Sequence, residues 1–398
     1  MRKTIKNRFF LIALSLLLLI GLTACSSPES KSETIEKAPK TETKSETKTE
    51  KKTETKSETV KETPQNITNE ELPNVSIIAT GGTIAGVAAS DTQTTGYKAG
   101  EVAIETLLDA VPEVKEIANI TGTQLVNIDS SAMTNEVLLN LAKEVNKQLA
   151  SDSVAGIVIT HGTDTIEETA YFLNLVVKSE KPVVLVGAMR PSTAISADGP
   201  LNLYNAVAIA ASPDSKGHGV MIALNDKIGS ARDTTKLNTT AVNAFDSFEY
   251  GDIGNVQGSK PYFYNKPSRI HTSESKFDIS NVTELPKVEI LYGHGNDSRV
   301  LVDAAVKGGA KGIIHAGTGN GSVFPETQEG LVDAQKKGVV IVRASRVATG
   351  MVTHEATDDT NKFVSSDSLN PAKARILLML ALLETSDPVK IQSYFNNY

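Results

Sequence analysis

Two threonine-bearing segments carry the residue types that could do covalent chemistry. Thr80-Gly-Gly-Thr-Ile-Ala-Gly86 follows a short apolar run at 75–79, and Thr160-His-Gly-Thr-Asp-Thr165 follows another at 156–160. Paired glycines permit a tight turn with free backbone N–H groups and leave Thr83 exposed beside no bulky neighbour. The competing reading is an ordinary glycine turn or a phosphate loop, but neither GxxxxGK[ST] nor GxGxxG occurs there. Thr163 and Asp164 sit at a helix N-terminus, where N–H groups and the dipole favour an oxyanion or a carboxylate. The plainer alternative is that Asp164 and Thr165 only cap the helix. In Gly229-Ser-Ala-Arg-Asp-Thr-Thr-Lys236 a lysine lies near hydroxyls and an acid; shielded from water, it can serve a hydroxyl as base, although most lysines are solvated surface groups. Gly317-Thr-Gly-Asn-Gly321 is not a dinucleotide fingerprint.

These segments need a scaffold that ends strands next to one another. Runs at 75–79, 156–160, 182–187 and 219–224 are short, apolar and β-branched, as buried parallel strands are. Between them, Val137, Leu138, Leu141, Val145 and Leu149 share one helical face within 134–149. Thr165-Ile-Glu-Glu168 has the spacing of a capping box opening a second helix. Pro200 and Pro371 fit helix starts. Strand-like runs resume at 287–292, 312–315 and 339–342. The alternation predicts an α/β protein: a larger N-terminal domain (73–264) with a mainly parallel sheet flanked by helices, a connector (265–285), and a smaller C-terminal α/β domain (286–398). Chemistry in such sheets sits in loops after the strand carboxyl ends.

The chain has 398 residues, with 40 Lys+Arg against 47 Asp+Glu and a net charge of −7, which argues against non-specific nucleic-acid binding. A single cysteine excludes an intramolecular disulfide framework and a cysteine-rich zinc site. The six histidines show no HExxH or HxxxH spacing, so no metal is expected. Residues 1–24 read as a signal peptide: Arg2, Lys3, Lys6 and Arg8, then an apolar run from Phe9, ending in Leu22-Thr23-Ala24-Cys25, which resembles a lipobox. Cys25 would take the lipid, anchoring an exported protein to the cell membrane or envelope; the alternative is an ordinary signal with an incidental cysteine. Residues 25–72 are rich in Lys, Thr, Glu and Ser and predict a disordered spacer with a reach of roughly 35–40 Å.

Taken together, IIATGGTIAG, ITHGTDTIEETAYFL, VGAMRPSTAISADGPLNLYNAV, RDTTKLNTTAVNAF and SLNPAKARILLMLAL resemble the bacterial L-asparaginases, in particular the exported type II form, from Leu72 to Tyr398. The resemblance implies hydrolysis of L-asparagine through a threonine acyl-enzyme, with no cofactor. Thr83 would be the nucleophile, and Tyr97, on a mobile lid, would help activate it. Thr163, Lys236 and Asp164 would form a second constellation. The N–H groups of Gly82 and Thr163 would hold the oxyanion, and the Ala188 carbonyl would accept from the leaving amide. Ser130 and Ser131, with Asp164, would bind the α-groups. The resemblance also implies a homotetramer with shared sites, in which Asn296 comes from a neighbouring subunit.

Two departures stand out. The family usually has Gln or Glu where this chain has Ser131, which bears on glutamine discrimination. A glutamate supplied by the next subunit falls in 352–359, about two residues short of the family pattern, so that Glu355 or Thr357 takes its place; Glu355 is the functional choice. A dual glutaminase-asparaginase is the near alternative. An amino-acid-binding lipoprotein is the alternative of another class, which has no use for paired threonines and a lysine. An amidotransferase subunit fits poorly with export.

Overall fold

The computed structural model describes residues 72–96, 98–101 and 103–398. Among these, eight strands build the first sheet: β1 (Asn74–Gly81), β2 (Asn119–Ile128), β3 (Gly156–Thr160), β4 (Val183–Val186), β5 (Val220–Leu224) and β6 (Lys227–Ser230), then, after the short ribbon β7 (Thr235–Lys236) and β8 (Phe245–Asp246), β9 (Gly254–Gln257) and β10 (Lys260–Phe263). Their order is β10-β9-β6-β5-β4-β3-β1-β2. The pairs from β2 through β5 are parallel, and β5–β6, β6–β9 and β9–β10 are antiparallel. The smaller sheet is parallel throughout: β11 (Val288–Tyr292), β12 (Gly312–Gly317), β13 (Val340–Ser345) and β14 (Val364–Ser365). The α/β architecture expected from the strand–helix alternation is the one observed.

The strand residues are buried on both faces because helices cover both. Ile157, Ile159, Val183 and Leu185 point into one apolar cluster with the helices Asn135–Leu149 and Ile166–Val176. Val158, Val184 and Val186 point the opposite way, toward the helix Gly199–Ala211. This is the period-two alternation of a sheet sandwiched between helices. The helix Pro371–Glu384 is apolar on nearly every side, with Ile376 through Ala381 fully buried. Its residues belong to the same cluster as Ile314 and Val342 of the second sheet and Leu173 of the first domain. A helix that is hydrophobic all round must be enclosed, and this one is enclosed between the second sheet and the helix Ile166–Val176.

Two local expectations are corrected. Thr165 caps no backbone N–H: its hydroxyl donates to the Ser130 carbonyl at 2.8 Å. Glu168 faces Arg375 at 3.6 Å instead of closing a capping box. Tertiary partners outbid the local motif. The strand β2 and the antiparallel extension β6, β9 and β10 carry no clear strand pattern in the sequence.

Candidate active site

The central strands run β2-β1-β3-β4-β5, so the connection reverses direction between β1 and β3. Loops leaving the carboxyl ends of two such strands diverge and open a crevice. Thr80–Gly86 leaves β1 and Thr160–Thr165 leaves β3. Ala79 pairs with Thr160 in register, so the two loops start level. They are also joined directly: the Thr80 hydroxyl donates to the Thr160 carbonyl at 2.8 Å.

Glycine is required where they touch. Gly82 has φ +85°, and a Cβ there would lie 2.2 Å from the Gly162 nitrogen. A Cβ on Gly162 would lie 2.6 Å from Ser130 Oγ, and one on Gly187 3.1 Å from Thr163 Cγ2. Thus the four loops that bear Thr83, Ser130, Thr163 and Ala188 pack against one another at this point. The loop bearing Ala188 is held by Asp198, whose carboxylate accepts from the N–H groups of Met189 and Arg190, both at 2.9 Å. The segment beyond Thr83 folds back, with Gly100 N–H donating to the Gly82 carbonyl at 3.1 Å.

Lys236 reaches this point from the β7–β8 ribbon. Its Nζ lies 2.9 Å from Thr163 Oγ1 and 2.6 Å from Asp164 Oδ1. The Lys236 side chain is 15% exposed and that of Asp164 62% exposed. The ammonium end is therefore recessed against Thr163, while the carboxylate stays open to a ligand. Ser130 is buried, and its Oγ accepts from the Asp164 N–H at 3.2 Å. Ser131 is exposed beside it, its N–H donating to Asp129.

Some expected roles change. Thr83 is 7% exposed, recessed at the start of a short 3-10 turn instead of standing free. The Gly82 N–H already donates to the Ile128 carbonyl at the end of β2 at 3.0 Å, so it is engaged in the β1–β2 pairing and not free to hold an oxyanion; what Gly82 contributes is close approach. The Thr163 N–H has no such partner among the described residues. Asn296 is exposed in a loop of the C-terminal domain and Glu355 at the start of the helix Ala356–Asn361, and among the described residues neither has a hydrogen bond to the Thr83–Lys236 cluster. Asn296 has φ +55°. The Glu355 carboxylate accepts from Asn320 Nδ2 at 3.1 Å, and its N–H donates to Asp358, the partner of buried Arg343. Cys25 and Tyr97 lie outside the described residues.

His161 was absent from the expected site, yet it braces the second loop. It is completely buried, with Nδ1 2.7 Å from the Gly162 carbonyl and Nε2 2.9 Å from Thr169 Oγ1. A carbonyl only accepts, so Nδ1 carries the proton and Nε2 accepts from the threonine. Burial lowers its pKa to about 4, with the Gly162 hydrogen bond opposing. An unfolded histidine titrates near 6.5, so between those values the unfolded chain binds a proton that the native chain refuses. Stability from this group is therefore complete above about pH 6.5 and falls as pH drops toward 4, by roughly 3 kcal/mol. Urea unfolding at pH 7 and pH 4.5 should show a smaller acid loss for His161→Gln than for the wild type.

Comparison with known proteins gives one answer along the folded chain. Residues 74–269 match the family described as asparaginase, N-terminal, and residues 287–395 the glutaminase/asparaginase C-terminal domain. The chain is 52% identical to L-asparaginase 2 of Bacillus subtilis (strain 168), over 96% of this chain and 97% of the relative. It is 49% identical to a glutaminase-asparaginase of Pseudomonas fluorescens biotype A, over 83% of this chain and 92% of that one. Among solved structures, a probable cytoplasmic L-asparaginase from Campylobacter jejuni superposes with a TM-score of 0.81 at 52% identity, covering 82% of this chain and all of the other.

Proposed function

Because the chain belongs to the asparaginase family, it is an amidohydrolase acting on L-asparagine, and we propose that Thr83 carries the reaction as an acyl-enzyme nucleophile. The observation that supports this most is the Lys236–Thr163 hydrogen bond beside the close approach of Gly82 to Gly162, which brings the two threonine loops together. Thr83 Oγ attacks the side-chain carboxamide carbon. Its proton passes by way of Tyr97 and the Thr163–Lys236 pair to the leaving nitrogen, which departs as ammonia. Water then attacks the ester, returns the proton to Thr83 and frees L-aspartate. The Thr163 N–H steadies the tetrahedral oxyanion, a contribution of about 3 kcal/mol where such donors have been removed from acyl-transfer enzymes. The Ala188 carbonyl accepts from the amide nitrogen. Ser130, Ser131 and the open carboxylate of Asp164 hold the α-groups.

We read the chain further as one subunit of a homotetramer, exported and lipid-anchored at Cys25, with sites completed across subunits. Asn296 and Glu355, which stand apart from the cluster in their own chain, are then offered to a neighbour. A second substrate, L-glutamine, is favoured by one observation: Ser131 is short and exposed where the family usually carries a long side chain. Extending it narrows the space beside the α-groups. Ser131→Gln should lower the glutamine-to-asparagine ratio of kcat/KM by about tenfold, the order of effect that one methylene has in a binding pocket. Ammonia release by the full chain with each amide measures this; an unchanged ratio removes Ser131 from specificity.

A further inference from the structure

We propose that Lys373 is a positioning residue for this reaction, setting Lys236 against Thr163 from within the core. Lys373 lies in the first turn of the helix Pro371–Glu384 and is 1% exposed. Its Nζ donates to the Arg232 carbonyl at 2.8 Å and to the Thr234 carbonyl at 2.6 Å, and lies 3.5 Å from Glu167 Oε2. The two carbonyls belong to the backbone leading directly into Lys236. Glu167 opens the helix that follows Thr163 and Asp164. One ammonium therefore ties together the two segments whose ends must meet. Asn370 reinforces the tie: its Nδ2 donates to Glu167 Oε2 at 2.9 Å, while its Oδ1 accepts from the Lys373 N–H.

A buried lysine is a poor device for stability. Taking the ammonium out of water costs several kcal/mol, and well-packed apolar residues of similar volume often serve as well or better. Burial pushes the Lys373 ammonium's pKa down, and the Glu167 carboxylate pushes it back. What the charge supplies that methionine cannot is geometry: three donors aimed at fixed acceptors on two different segments. A shift of about 1 Å at such a site can cost about a hundredfold in rate.

The inference rests on the role given above to Lys236, and the test separates the two. The kcat and KM for asparagine are measured on the full chain for the wild type, Lys373→Met, Lys236→Met and the double variant. Lys373→Met should lower kcat by about tenfold or more with KM within about threefold, and should cost nothing further in the Lys236→Met background. Its kcat staying within about twofold of wild type, or a loss of equal size persisting without Lys236, makes Lys373 merely structural and overturns the proposal. If Lys236→Met itself retains the full kcat, the role of Lys236 fails instead, and the proposal fails with it. Should Lys373→Met not accumulate folded, Glu167→Gln, which keeps the Asn370 hydrogen bond and removes only the charge, carries the same test. It is expected to lower kcat by about threefold or more, again with no further loss in the Lys236→Met background.

Discussion

Thr83→Val should fold as the wild type does and turn over asparagine roughly 10⁴- to 10⁶-fold more slowly, the depth seen when the nucleophile of a comparable acyl-transfer unit is removed. Valine matches threonine in shape, and the side chain sits recessed in a turn that backbone hydrogen bonds already define. The Gly82–Gly162 contact and the Thr80–Thr160 hydrogen bond both survive the change. The loss should appear in kcat, while KM moves little, because the α-group contacts proposed for Ser130 and Asp164 are untouched. Thermal unfolding within a few degrees of wild type, measured beside the kinetics, ties the loss to chemistry.

Lys236→Met should lower kcat by about 10²- to 10⁴-fold, the usual worth of a placed proton-transfer group. Methionine keeps the unbranched stem and removes only the amine that contacts Thr163 Oγ1 and Asp164 Oδ1. The ion pair itself adds little to folding. Asp164 is largely open to water, and exposed pairs contribute at most about 1 kcal/mol. The melting temperature should therefore barely change. Thr163→Val added to Lys236→Met should cost far less than it does alone, since the two act as one unit. Full additivity would mean that they serve separate steps.

How much could be read in advance depended on whether a residue's role was local. The segment 156–160 is apolar and β-branched, is bounded by glycine and a polar loop, and folds as the strand expected of it. The apolar stripe within 134–149 likewise folds as the helix Asn135–Leu149. β2 escaped notice because Asn119–Ile128 is a half-exposed edge strand with polar residues and a glycine. Its pairing with β1 is set by tertiary contact and not by its own pattern. The Thr165–Glu168 spacing promised a capping box, but Ser130 and Arg375, far along the chain, offered better partners. For the same reason the local pattern leaves the Gly82 N–H free, whereas in the fold it donates to the Ile128 carbonyl.

The site shows the same division. By residue type alone TGGT also reads as a glycine turn, HGTDT as a helix cap and Lys236 as a surface lysine; the resemblance of all three segments together to one family is what marks them as a site. His161 and Lys373 look ordinary in sequence, one a loop histidine and the other a lysine early in a helix. Both matter because they are wholly buried, and only the fold decides that.

The central claim is a covalent bond between Thr83 and the substrate's side-chain acyl group. Rapid acid quench of the full chain during turnover of asparagine, followed by peptide mass spectrometry, tests it directly. The account predicts a transient mass increase equal to asparagine less ammonia on the peptide carrying Thr83, absent from Thr83→Val. The same adduct found on Thr163, or on Thr83→Val protein, would contradict it.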